Sequence, residues 1–246
     1  MPRRSRSRSR TRRTFQKLSD WLGYQYRVAR RQTISIEGIR IRLGRHISPR
    51  VERALTKGAY EREELRLVEA VLEPDDTVVD IGTGLGLVSA FCAERIGSER
   101  VFAFEADPDL EPCIRDTYEL NGVTPTLDMC AVSARAGRVT VQRNLHSVAS
   151  SVVRRRVGTT PTEVPGKSLN HILEKLSPTL LIIEAEAADP NLFDQADLAR
   201  VRTIILELHD LVLGTLGTDQ VRASLRSAGF AQDQRLSSPA HLVFRR

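Results

Sequence analysis

The chain has little cysteine and no long apolar run. Its three cysteines, Cys92, Cys113 and Cys130, are odd in number and show no C-x-x-C spacing, which argues against a metal or redox role for them. We interpret them as reduced, packed thiols of a cytoplasmic protein. No apolar stretch approaches the roughly 18 residues that span a bilayer, and the amino terminus lacks the apolar core of a secretory signal. We therefore expect no transmembrane segment and a cytoplasmic location.

Acidic residues are missing from residues 1–13, which contain seven arginines. The whole chain has 37 lysines and arginines against 31 aspartates and glutamates, so removing this segment leaves 30 basic and 31 acidic side chains. The high pI therefore belongs to this Arg/Ser tail, which we expect to be disordered because it has nothing to bury. Three interpretations stay open: weak nucleic-acid contact, contact with an anionic surface, or a solvated tail. We favour a flexible, anion-attracting tail without specific readout.

A glycine-rich segment at residues 80–86 (DIGTGLG) follows an apolar strand pattern and opens a helical pattern at Leu87. Glycine suits such a bend because the backbone turns sharply and approaches a ligand closely, while the amides of the new helix face that ligand. The next apolar run, residues 101–104, ends in Glu105, whose carboxylate can accept hydrogen bonds from both hydroxyls of a ribose. A tight strand-to-helix turn without a ligand is the simpler alternative, but the combination favours cofactor binding.

The third glycine of a dinucleotide fingerprint is absent. Counted from Gly82, the pattern G-x-G-x-x-G requires glycine at position 87, which is Leu87. The observed spacing, G-x-G-x-G, instead favours S-adenosylmethionine, whose carboxypropyl chain is smaller than a pyrophosphate. We expect the donor to contact Asp80, Gly82, Thr83, Gly84, Gly86, Glu105 and Ala106.

Strand patterns alternate with helical patterns along the chain, which predicts an α/β fold: a doubly wound, mostly parallel sheet with an antiparallel terminal strand. Before the glycine segment we expect a short helix within residues 15–31, a hairpin around Glu37-Gly38 and one helix over residues 48–72. Beyond Glu105 we expect helices over residues 110–120, 168–176 and 219–228, and strands over residues 126–132, 139–142, 179–183, 201–206, 230–234 and 241–244. Residues 148–157 fit either an extended segment or a loop.

Several short motifs together resemble the FkbM-type methyltransferases. They are DIGTGLG, FEADP (104–108), Leu120-Asn121, Ala131-Val132-Ser133, LLIIEAEAAD (180–189) and ILELH (205–209), preceded by Gly58-Ala59-Tyr60-Glu61. The resemblance runs from about Gly58 to Phe244. It implies a Rossmann-like class I methyltransferase fold, S-adenosyl-L-methionine as donor, and O-methylation of a hydroxyl on a sugar, glycan or small metabolite. In such folds an adenine contact usually comes from the end of the third strand, which implies donor contacts at Cys130 and Ala131. The chain then divides into the tail (1–13), a helix and hairpin appendage (14–57) and a methyltransferase domain (58–246).

The acidic stretch after the strand at residues 179–183 departs from the family pattern K-x-D-x-E-G-x-E. Ile182, Glu184, Glu186, Ala187 and Asp189 stand there instead. Glu184 and Glu186 are the first candidates for a general base or for orienting the acceptor, followed by His209, with His146 ranked lower. The departure leaves open an alternative, a catalytically degenerate methyltransferase-fold protein with a binding or structural role. The three acids could also hold a hard cation, but their spacing is not diagnostic, and no metal is predicted.

A nucleic-acid methyltransferase recruited by the tail is a further rival. The chain lacks the N/D-P-P-Y/F tetrapeptide with which amino-methylating enzymes hold a base amine, and the nearly neutral body offers no basic groove. A small-molecule or glycan acceptor is therefore preferred.

Overall fold

The computed structural model describes residues 32–44, 47–144, 159–184, 191–194, 196–207 and 210–246. The helices are α1 (Pro49–Thr56), α2 (Arg62–Val71), α3 (Leu87–Ile96), α4 (Glu111–Asn121), α5 (Leu169–Leu176) and α6 (Asp210–Ser227). The strands are β1 (Thr33–Ile36), β2 (Ile39–Arg42), β3 (Val78–Ile81), β4 (Val101–Phe104), β5 (Thr126–Asp128), β6 (Ala131–Ser133), β7 (Gly137–Asn144), β8 (Thr159–Ser168), β9 (Leu180–Glu184), β10 (Thr203–Glu207), β11 (Ala231–Gln232) and β12 (His241–Arg245).

Seven strands form the central sheet in the order β11-β12-β10-β9-β3-β4-β5. Strands β10, β9, β3, β4 and β5 are parallel, and β12 runs antiparallel to β10. The chain proceeds from β3 through β4 to β5 on one side and later fills the other side with β9 and β10, so the strand order reverses between β3 and β9. This architecture confirms the predicted doubly wound, mostly parallel sheet with an antiparallel terminal strand. Ligands of such sheets bind where the order reverses, at the carboxyl ends of the strands.

Alternate residues of the central strands supply two separate cores. On one face, Val78, Val101 and Ile182 pack with residues of α1 to α4 and of the β1–β2 hairpin. On the other face, Val79 and Ile183 pack with residues of α5, α6 and the segment before β10. Both faces are covered, which explains why these strands read as continuous apolar runs in the sequence.

The β1–β2 hairpin turns at Glu37 and Gly38, which both have positive φ (46° and 94°), as predicted from the Glu-Gly pair. The single helix predicted over residues 48–72 is wrong, because the chain breaks it into α1 and α2. Gly58 and Glu61 between them adopt left-handed conformations, with φ of 60° and 47°. This break turns α2 so that it packs against β10 and β12.

A second sheet of three strands, in the order β6-β8-β7, follows β5. The strand predicted over residues 126–132 is therefore wrong as one unit, since β5 belongs to the central sheet and β6 to the second sheet. The long strand β8 was not predicted. Helix α6 also begins earlier than expected, at Asp210 instead of Asp219. The predictions for residues 1–13, the helix within 15–31 and residues 148–157 lie outside the described residues, and the proposed domain division stays a prediction.

None of the helices in the described part of the chain is long and apolar enough to cross a membrane.

Candidate active site at the carboxyl end of the sheet

The glycine bend joins β3 to α3. Gly82, Gly84 and Gly86 have φ of 84°, 58° and 76°, values that a residue with a side chain rarely adopts. Space also restricts this bend: a Cβ on Gly86 would lie 3.0 Å from Ile114 Cγ2, and one on Gly82 would lie 3.1 Å from Glu184 Cβ. The Gly82 amide donates to the carbonyl oxygen of Phe104 at 2.8 Å, which ties the bend to β4. Glycine is therefore required both by backbone conformation and by close approach.

Glu105, directly after β4, faces the glycine bend. Its Oε2 accepts a hydrogen bond from the Gly84 amide at 3.0 Å, and its Oε1 accepts one from the Asp107 amide at 2.8 Å. The side chain is buried, and this burial raises the pKa of the carboxyl group to about 7, although the two amides oppose the shift. Each carboxylate oxygen accepts more than one hydrogen bond, so both retain capacity for a ligand hydroxyl.

Asp80, the third residue of β3, anchors a buried polar network. Thr83 Oγ1 donates to Asp80 Oδ2 at 2.6 Å and lies 2.8 Å from Ser89 Oγ, which lies 2.8 Å from the Tyr118 hydroxyl. Burial raises the pKa of Asp80 to about 6, opposed by the hydrogen bonds from Thr83 and Ser89. The network fixes the bend against α3 and α4 from inside the protein.

Ala106, Cys130 and Ala131, predicted to contact the donor, lie close to Glu105. Ala131 belongs to a small apolar cluster with Val141 and Val164, and Ala106 packs against that cluster. The Cys130 amide donates to the carbonyl oxygen of Asp128 at 3.0 Å, and the Glu105 amide donates to the same oxygen at 3.2 Å. The backbone carbonyl of Asp128 thus links Cys130 to Glu105, while Ala106 and Ala131 pack in one apolar cluster.

Glu184 ends β9 on the other side of the bend. A Cβ placed on Gly82 would lie 3.6 Å from Glu184 Oε2, so the carboxylate borders the most exposed of the three glycines. The strand places Glu184 opposite Glu207, its register partner at the end of β10. Glu186, Asp189, His146 and His209 lie outside the described residues, and their predicted roles stay predictions.

Sequence reasoning missed the acidic contribution of the segment before α2. Glu61 and Tyr60 share a hydrogen bond, and burial is the main cause that raises the pKa of each side chain. The next cause is the charge of Glu184 for Glu61, and the charge of Glu61 for Tyr60. Glu61 Oε2 is buried and finds no hydrogen-bond partner among the described residues. The Gly58-Ala59-Tyr60-Glu61 motif was a signal, but nothing in the sequence assigned a role to its glutamate.

A second missed group joins three elements. Glu64 of α2, Glu207 of β10 and His241 of β12 each offer one ligand atom, and these atoms lie within 4.8 Å of one another. Together with Glu61 and Glu184, they make the carboxyl end of the sheet strongly acidic. Their separation in sequence leaves no spacing pattern that could have indicated the group.

Strand order and the antiparallel β12 give the chain a Rossmann-like, doubly wound α/β fold, as the resemblance implied. No protein-family model matches the chain, and no curated protein matches it. Membership of the FkbM-type family therefore has no support from these comparisons.

Several solved structures are similar in chain path. A precorrin-6y C5,15-methyltransferase from Geobacter metallireducens is 15% identical, with a TM-score of 0.48 over 76% of this chain and 88% of that chain. A tRNA (uracil-54, C5)-methyltransferase from Pyrococcus abyssi, in complex with S-adenosyl-L-homocysteine, is 12% identical, with a TM-score of 0.48 over 87% of this chain and 43% of that chain. A ribosomal protein L11 methylase from Lactobacillus delbrueckii is 17% identical, with a TM-score of 0.43 over 74% of both chains. The alignment thus spans less than half of the tRNA methyltransferase.

Proposed function

We propose that the protein is an S-adenosyl-L-methionine-dependent methyltransferase that binds its donor at the carboxyl ends of β3 and β4, beside the crevice between β3 and β9. The main support is the hydrogen bond from the Gly84 amide to Glu105 Oε2, which joins the glycine bend after β3 to the carboxylate after β4, next to the point where the strand order reverses. In this proposal the backbone of Gly82, Gly84 and Gly86 and the side chains of Asp80 and Thr83 border the methionine part of the donor. Glu105 accepts from the ribose hydroxyls, and Ala106, Cys130 and Ala131 contact the adenine.

Charge supports a cationic donor over an anionic one. Asp80 precedes the bend and Glu184 borders Gly82, and Glu61 lies close enough to both carboxylates that their charges raise its pKa, after burial as the main cause. Such an edge repels the pyrophosphate of a dinucleotide and attracts a sulfonium and an ammonium group. The missing third glycine favours the same donor.

The proposed acceptor group is a hydroxyl. When bound, the donor supplies a methyl carbon already activated by its sulfonium, so the protein has two remaining tasks: to hold the acceptor oxygen in line and to take its proton. Glu184, beside Gly82, is the proposed base or orienting residue, and Glu186 and His209 are the proposed alternatives. A sugar, a glycan or a small metabolite is the proposed acceptor class, as in the FkbM-type resemblance.

Donor binding tests the proposal directly. Calorimetric titration with S-adenosylmethionine, S-adenosylhomocysteine and NAD should show binding of the first two compounds and not of NAD. Glu105→Gln should weaken donor binding by about tenfold or more, because an amide keeps only one oxygen acceptor for the glycine bend and the ribose. Glu119→Gln, an exposed change on α4, is the matched control and should leave the affinity unchanged. Binding of NAD alone would overturn the donor assignment.

Turnover separates the enzyme from the degenerate alternative. Release of S-adenosylhomocysteine is measured with a panel of hydroxylated acceptors, for the wild type and Glu184→Gln. An enzyme of the proposed kind should turn over with at least one acceptor, and Glu184→Gln should lose turnover while still binding the donor. Donor binding without methyl transfer to any acceptor in the panel would favour a binding or structural role.

A further inference from the structure

Glu64, Glu207 and His241 converge from three elements on one spot at the carboxyl end of the sheet. Glu207 and His241 are directly opposed register partners on the antiparallel pair β10 and β12. Helix α2 packs against the same two strands and brings Glu64 to them. The potential ligand atoms of the three side chains lie within 4.8 Å of one another.

The side chain of His241 is only 11% exposed. Nδ1 is fully buried and has no hydrogen-bond partner in the described part of the chain. The nearest carboxylates are Glu63, whose Oε2 lies 3.5 Å from Nδ1, and Glu207, whose Oε1 lies 3.9 Å from Nε2. Nδ1 thus faces Glu63 and Nε2 faces Glu207, and a neutral imidazole offers one nitrogen lone pair to a ligand.

Electrostatics make the spot unfavourable without a cation. Glu64 is only 5% exposed, and its potential ligand oxygen lies within 4.8 Å of that of Glu207. Like charges crowded in a buried site repel each other, and a bound cation removes both the repulsion and the desolvation cost.

We propose that Glu64, Glu207 and His241 form a binding site for a divalent transition-metal ion, with two carboxylate oxygens and one imidazole nitrogen as ligands. This mixed set favours Zn²⁺ or Mn²⁺ over Mg²⁺ and Ca²⁺, which prefer oxygen ligands alone. Metal bonds of about 2.0–2.2 Å require the three atoms to draw closer together, which rotation of the two glutamate side chains allows. Three protein ligands leave coordination positions open for water or a substrate oxygen.

The site itself does not depend on methyl transfer. A bound ion would lie on the acidic side of the crevice, near Glu61 and Glu184, where it would bind and polarise an acceptor hydroxyl. That role rests on the proposed function.

The test uses the full chain, stripped with a chelator and then titrated with MnCl₂ or ZnCl₂. Calorimetry and metal analysis after dialysis should give about one ion per chain, and Co²⁺ loading should give a visible spectrum typical of mixed nitrogen and oxygen ligands. Glu207→Gln and His241→Gln should each weaken binding by about tenfold or more. Glu69→Gln and His171→Gln, exposed changes on α2 and α5, are the matched controls and should bind like the wild type.

Glu64→Gln distinguishes loss of metal binding from loss of the fold. In chelator its melting temperature should equal or exceed that of the wild type, because a buried charge is removed, whereas added metal should raise the melting temperature of the wild type only. Failure of Mn²⁺ and Zn²⁺ to bind the wild type above millimolar affinity, or binding unchanged in Glu207→Gln and His241→Gln, would overturn the site. Donor titrations on the same samples keep the two proposals apart, since loss of metal binding with intact donor binding refutes this site alone.

Discussion

The buried acidic side chains at the two ends of the central sheet have opposite surroundings. At the amino end, Asp76 is 2% exposed and fully matched: Oδ2 accepts from Arg202 at 2.6 Å and from the Glu73 amide at 2.8 Å, and Oδ1 accepts from Thr179 Oγ1 at 2.6 Å. At the carboxyl end, Glu61 and Glu64 have raised pKa values caused by burial and by other carboxylates.

The difference separates structural acids from acids kept for a ligand. A buried charge that is paired and hydrogen-bonded holds elements together, and its loss is costly. Crowded carboxylates without a matched base weaken the fold on their own and are tolerated where a cationic ligand binds. Variants at the two ends should therefore change stability in opposite directions.

The largest effect is expected from Arg202→Met. Removing the guanidinium leaves the Asp76 carboxylate buried without its charge partner, and it also removes the hydrogen bond to the carbonyl oxygen of Val71. We expect the free energy of unfolding to fall by about 4 kcal/mol in urea titrations. Arg138→Ala, which breaks the exposed pair with Glu163, is the control and should change it by less than about 0.5 kcal/mol. Similar losses in the two variants would refute the structural role of Asp76.

Gly86→Val tests the bend between the two ends. The new side chain would need a left-handed backbone and would press on Ile114 and Tyr118. We expect a loss of about 3 kcal/mol in unfolding free energy, together with loss of donor binding. Gly122→Ala has a φ of 67° but open space around it, so it should cost only about 1 kcal/mol and bind the donor normally. Equal costs at the two positions would show that backbone conformation alone requires Gly86.

The pH dependence of donor binding reports on Glu105. Ribose hydroxyls donate to its ionised form, and burial raises its pKa to about 7, so affinity should rise by about tenfold between pH 6 and pH 8. Glu105→Gln should lose this rise, and the comparison removes any contribution from groups of the donor itself. A rise that persists in the variant would assign the titration to another residue.

Stability of the free protein should show the opposite trend. The folded-state pKa of Glu105 lies above its ordinary value of 4.5, so the folded protein binds more protons between about pH 4.5 and 7. The contribution of this group to the free energy of unfolding therefore falls as pH rises through that window.

Glu61→Gln should give the smallest effect and the opposite sign. It removes a charge whose Oε2 is buried without a partner in the described residues, so stability at pH 8 should rise by about 1 kcal/mol while donor affinity falls. Glu37→Gln also replaces a glutamate with positive φ, but an exposed one, and should leave both quantities unchanged. Destabilisation by Glu61→Gln would contradict the proposed contrast between the two ends.

Local patterns predicted the parts of the fold that local physics controls. The apolar runs of β3, β4, β9 and β10, the turn at Glu37-Gly38 and the Ser168 cap of α5 all appear as expected. The strand β8 was not predicted, because Pro161 and Pro165 argue against a strand. The structure accommodates both prolines because β6 pairs only with Gly166 to Ser168, which leaves the prolines unpaired on that side.

The division of residues 48–72 into two helices follows a local stop signal, Gly58, that the prediction overlooked. The direction of α2 depends on its packing against β10 and β12, which no local pattern records. The surroundings of the acidic side chains that α2 contributes cannot be predicted from local patterns either. Glu61 and Glu64 look like ordinary charges of a helix start in the sequence.

The sequence by itself determined the alternation of strands and helices, the glycine bend and the carboxylate at the end of the next strand, because each follows from residues close together in the chain. Only the tertiary structure decided that Glu64, Glu207 and His241 meet. Their meeting depends on an antiparallel strand pairing and on the angle at which α2 crosses it, and both are set by the packing of the whole core.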